Sequence, residues 1–112
     1  MTLRIAPFVL LAGLASAAEA QRTFEGTEAA ALRCSNTLAL TAIALSRAEL
    51  IGAVEKDVLL GVSLSILERH VSGTWGQKKA ALAVMRDRRS VPDTLEDYRR
   101  NAGKCLRQFP IN

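Results

Sequence analysis

The segment TLEDYRRNAGKCLRQF, residues 94–109, decides the fold class. Its apolar positions Leu95, Tyr98, Ala102, Cys105 and Phe109 recur every three or four residues, the period of one face of an α-helix. Charged and polar residues fill the positions between, so this helix needs a core to lie against. Pro110 ends it, and Ser90-Val91-Pro92-Asp93 breaks the chain before it, because proline restricts the preceding residue. Asp93 with Glu96, or Thr94 with Asp97, has the spacing of a cap. The helix is expected from Thr94 to about Gln108.

Working upstream, the same period returns three times. A helix is expected over about 74–89, with Leu82, Met85, Trp75 and the stem of Lys78 inward. Ser72-Gly73 separates it from the helix before, glycine being the favoured stop. That earlier helix is expected over about 47–71, on the stripe Ile51, Val54, Val58, Val62 and Ile66. Gly52 and Gly61 each weaken it by about 1 kcal/mol relative to alanine, so a bend or break is expected near one of them. Ser46-Arg47-Ala48-Glu49 has capping-box form; it either starts this helix or lies inside one longer helix. The first helix is expected from a Thr27 cap to about Leu45, with Cys34, Leu38, Thr41 or Ala42, and Leu45 on one stripe. That stripe is narrow and rich in small residues, which suits close packing.

No period-two alternation bounded by hairpin turns competes with this pattern. The fold expected is all-α: a small four-helix antiparallel bundle, or three helices plus a broken one, with short turns. Cys34 and Cys105 lie on the apolar stripes of the first and last helices. In an up-and-down bundle those places fall at the same end, so the two cysteines are expected to form a disulfide. Closing a loop of about 70 residues is worth roughly 4 kcal/mol.

The N-terminus reads as a secretory signal. Arg4 precedes the uncharged run Ile5 to Ala18, and Ala18-Glu19-Ala20 has the small-x-small form that signal peptidase cleaves. The run is shorter than the ~20 apolar residues a membrane span needs. A signal peptide at 1–20 and a helical domain at 21–112 follow, with cleavage after Ala20 and no transmembrane segment in the mature chain. Export leads to an oxidising compartment, which agrees with the disulfide. The short apolar run and Ala-rich cleavage region fit a bacterial periplasm, or secretion.

Chemistry-bearing constellations are scarce. His70 is the sole histidine, and Thr74 stands where a second ligand at i+4 would be needed. No Gly-x-Ser-x-Gly elbow, phosphate loop or haem-attachment motif is present. Catalytic, metal-binding and cofactor-binding residues are therefore not expected, and His70 reads as a favourable charge near a helix C-terminus.

Charge is asymmetric. Residues 21–68 carry four basic and six acidic side chains, net −2, whereas residues 69–112 carry ten and four, net +6. Lys79, Arg86, Arg88, Arg89, Arg99 and Arg100 fall on the third and fourth helices, which are expected to be neighbours. Together they form a candidate basic face for an envelope protein or an anionic surface. Reversing Arg86, Arg88 and Arg89 is expected to leave the fold nearly intact. Nucleic acid is a poor candidate, because export removes it and no aromatics accompany the face.

In general type the chain, exported, helical and stapled by one disulfide, resembles the small periplasmic acid-stress chaperones, a likeness carried by no motif. The reading is a non-enzymatic binding protein of the envelope acting through the basic face, with a stress holdase, or a membrane-surface or anionic-polymer binder, as the alternatives.

Overall fold

The computed structural model describes residues 22–112; the signal and cleavage site expected at 1–20 lie outside them. Four helices account for the fold: α1 (Gly26–Arg47), α2 (Ala53–His70), α3 (Trp75–Asp87) and α4 (Val91–Gln108), with no strand among the described residues. This is the small all-α bundle expected, and its staple is formed: Cys34 and Cys105 are bonded, with Cα atoms 5.6 Å apart. That separation lies inside the range a disulfide tolerates.

The arrangement is less even than four equivalent helices. All three substantial helix–helix interfaces among the described residues include α1. Its buried residues Ala31, Leu32, Cys34, Ser35, Asn36, Thr37, Leu38, Thr41 and Ala42 point in every direction around the axis. An 18-residue window of α1 has mean hydropathy 1.2, long and apolar enough by length and composition to cross a membrane, but half of it is buried by the other helices. Its place as the central helix accounts for that hydropathy. The core joins α1 to Ile66 and Leu67 of α2, Val71, and Phe109 beyond α4. Helices α3 and α4, expected as neighbours, pack on α1 and share no substantial interface.

The α1–α2 connection differs from the expectation. Ser46-Arg47-Ala48-Glu49 is a helix end, not a start. The Leu50 amide donates to the Leu45 carbonyl at 2.9 Å and the Glu49 amide to Ser46 at 3.0 Å, with Glu49 at φ +59. That is a Schellman closure with glutamate where glycine is usual. Gly52 then caps α2. The glycine signal was real, but it marks an N-cap beyond a turn. Thr27 likewise lies in the first turn of α1, whose N-cap is Glu25.

The other turns are better made. Thr74 and Gln77 form a reciprocal capping box at α3, with bonds of 3.1 and 3.0 Å. Helix α4 starts at Val91, three residues before the expected position. Ser90 caps it by accepting the Asp93 amide at 3.2 Å. Pro92 sits in the first turn, where its missing N–H leaves no bond unmade.

Burial also divides the molecule lengthwise. On α1 it ends at Ala42, and on α2 it begins at Ser63. The turn-proximal halves of both helices extend past the core as a two-helix tip. There Leu50, Val54 and Val58 are 70%, 76% and 58% exposed. The stripe expected to run inward along all of α2 therefore reaches the core only from Val62 onward, where Leu59, off the stripe, joins it. Trp75, also expected inward, is exposed on α3. Lys78 is buried as expected: its Nζ donates to the Leu67 carbonyl at 3.0 Å and lies 4.7 Å from the Trp75 ring.

Candidate functional site

The polar chemistry of the molecule gathers on the α1 faces that meet α2 and α4. Small residues let α1 and α2 approach closely at Ser35 and Ser63. Each hydroxyl donates to the other residue's carbonyl, at 3.0 and 2.9 Å, and the two oxygens stand 2.6 Å apart. Both serines are buried, so this exchange satisfies groups that would otherwise be costly to desolvate.

On the α4 side Asp97 is the hub. Its side chain is 9% exposed. Oδ2 accepts from Thr37 Oγ1 at 2.9 Å, Arg89 Nη2 at 3.2 Å and Arg33 Nε at 3.3 Å. Oδ1 accepts from Asn101 Nδ2 at 2.7 Å and Arg33 Nη2 at 3.4 Å. Burial alone would raise this carboxyl, but hydrogen bonds from Asn101, Arg33 and Thr37 and the Arg33 charge bring it down to about 2. An ionised carboxylate with every lone pair engaged holds helices together; it is poorly placed to accept a proton. Thus α1, the α3–α4 turn and α4 meet at one ionised group.

The six residues of the candidate basic face are dispersed. Arg89 is turned inward to Asp97 and is 21% exposed. Arg99 and Arg100 both bind Glu96, at 2.6 and 2.7 Å, and these bonds lower the Glu96 carboxyl to about 2. Arg86 lies 3.7 Å from Asp87. By helical geometry Lys79 and Arg86 share one flank of α3, while Arg88 lies on the other with Ala81 and Val84. Only Lys79 and Arg88 of the six have no acidic side chain within 4.0 Å among the described residues. Four of the six cations thus have an acidic neighbour, but they share three carboxylates, Asp87, Glu96 and Asp97, so the six keep a net positive charge.

His70 holds the C-terminal segment. Its Nε2 lies 2.7 Å from the Pro110 carbonyl, and its ring meets Phe109 edge-on, with centroids 5.4 Å apart. No group of three His, Cys, Asp or Glu side chains that could hold a metal occurs among the described residues. The C-terminal histidine reading was incomplete: the residue pins Phe109-Pro110 against the end of α2.

Arg33, Thr37 and Asn101 were absent from the sequence reading, and Asp97 appeared in it only as a cap. One signal reaches part of the way: pairing Cys34 with Cys105 in antiparallel helices sets Thr37 near Asn101 and Ala102, but sets Arg33 near residue 106, away from Asp97. Two buried groups, Asn36 Nδ2 and Thr41 Oγ1, have no hydrogen-bond partner among the described residues. Comparison of the chain with models of protein families, with curated proteins and with solved structures gave no match.

Proposed function

We propose that this chain is an exported, non-enzymatic protein of the cell envelope that binds another protein through the α1–α2 tip. The observation that carries the reading is the exposure of Leu50, Val54 and Val58 beyond the core. Large apolar side chains clustered on a well-braced scaffold are the usual mark of a contact surface. The uncharged run at 5–18 and the Cys34–Cys105 disulfide are compatible with export. The basic residues support a second reading, binding to an anionic surface. It rests on Lys79 or Arg88, which have no acidic partner but lie on opposite flanks of α3, so that one of them at a time faces such a surface.

Capture from envelope extract at 0.1 M and 1 M salt separates the readings, because screening lengths fall from about 10 Å to 3 Å between them. Retention of one protein at both salts, lost in Val54→Asp with Val58→Asp, is the expected result. Loss at high salt, or loss in Lys79→Glu with Arg88→Glu instead, would move the contact to the cationic residues. Indiscriminate retention of unfolded proteins would identify a holdase. Intact-mass measurement on protein from its native host is expected to give Gln21 as the first residue; a mass retaining residues 1–20 would overturn export by cleavage.

A further inference from the structure

A groove of about 340 Å³ runs between α1 and α4 beside the disulfide. Its size is at the lower end of small-molecule sites. It combines two chemistries. Cys34, Leu38 and Phe109, all buried in the core, give it an apolar floor. Arg33 from α1 and Lys104 from α4 line the same groove, and both are exposed.

Charge decides what fits. Asp97 also lines the groove, but its charge is answered from behind by Arg89. Arg33 and Lys104 then leave the opening cationic. Lys104 has no acidic side chain within 4.0 Å among the described residues. Arg33 is bound to Asp97, whose other donors hold it from three more positions. Five hydrogen bonds reach a group with about four lone-pair sites. The Arg33 bonds, at 3.3 and 3.4 Å, are the two longest. Arg33 is also 60% exposed, so it can turn to an incoming anion while Thr37, Arg89 and Asn101 keep Asp97 in place.

We propose that this groove binds a small amphiphilic carboxylate, its head held by Arg33 and Lys104 and its apolar part lying over the Cys34–Cys105 bridge. The site is separate from the α1–α2 tip and does not depend on the protein-binding reading. An aliphatic acid and an apolar peptide with a free C-terminus share this chemistry.

The test is titration of the disulfide-bonded protein, followed by amide chemical shifts. Octanoate is expected to saturate, with shifts centred on Cys34 and Cys105. Octanol, with the same chain and no charge, is expected to bind at least tenfold more weakly, and acetate not to saturate. Arg33→Gln with Lys104→Gln is expected to weaken octanoate at least tenfold, while Arg107→Gln, outside the groove, leaves it unchanged. A dipeptide of apolar residues, with a free or an amidated C-terminus, tells a peptide source from a fatty-acid source by which probe binds more tightly. Equal affinity for octanol and octanoate in the wild type would overturn the proposal, whatever the variants do. So would saturable shifts elsewhere, no saturation by any carboxylate, or full affinity in a folded double variant.

Discussion

Asp97→Asn removes one charge at the point where three elements meet and keeps the side chain's shape. Its cost follows from the carboxyl's depression from its ordinary 3.8 to about 2. By linkage that difference is worth about 2 kcal/mol. The carboxyl is 9% exposed, so solvent screening takes little from this figure. The folded value lies below the unfolded one. The contribution is therefore fully present above about pH 4 and is lost as pH falls through 2. Urea unfolding of wild type and variant at pH 7, 3 and 2 reads it directly. The variant is expected to be about 2 kcal/mol less stable at pH 7, with most of the gap gone by pH 2. A variant within 0.5 kcal/mol of wild type at pH 7, or a gap unchanged with pH, would refute the assignment of Asp97 as the ionic hub.

Removing the bridge with Cys34→Ser and Cys105→Ser is expected to cost roughly 2 to 5 kcal/mol, read as a lower melting temperature with helix content retained. Alkylation of the denatured, unreduced wild type is expected to find no thiol. Glu49→Gly places at φ +59 the one residue with no penalty there, and is expected to raise stability by about 1 kcal/mol in the same urea assay. Arg88→Glu is expected to change stability by less than about 0.5 kcal/mol. Arg89→Glu, which sets a second carboxylate against Asp97, is expected to cost several times more and to lose that cost in acid. Equal effects at 88 and 89 would count against the inward placement of Arg89.

What was legible in the sequence follows from the range of the forces involved. Helix period is a local property, so α4, with five stripe residues in register, could be recognised from residues 94–109 alone. The disulfide was legible because two cysteines on apolar stripes have only each other as partners. Helix ends were less so. Ser46 to Glu49 has the residues of a capping box, but local backbone bonds close α1 there in a Schellman turn on a non-glycine residue. Val54 and Val58 fit a buried stripe by spacing, but α3 and α4 pack on α1 and leave this part of α2 uncovered. The Asp97 hub was hidden for a similar reason. Charged residues at helical spacing look like solvated surface until the register between helices is known, and Arg33 is separated from Asp97 by 64 positions. The dispersal of the basic residues follows from the same cause. Charge along a sequence does not tell which cations have acids beside them in space.

The central claim is that the α1–α2 tip is where this protein meets its partner. A photoreactive residue placed at Val54 and irradiated in the native host tests it most directly, with the same residue at Gly103, an exposed position on α4, as the reference. The account predicts one discrete cross-linked envelope protein from position 54 and none in common from position 103. Cross-linking to the same protein from position 103 and not from 54, or no adduct from position 54, would contradict it.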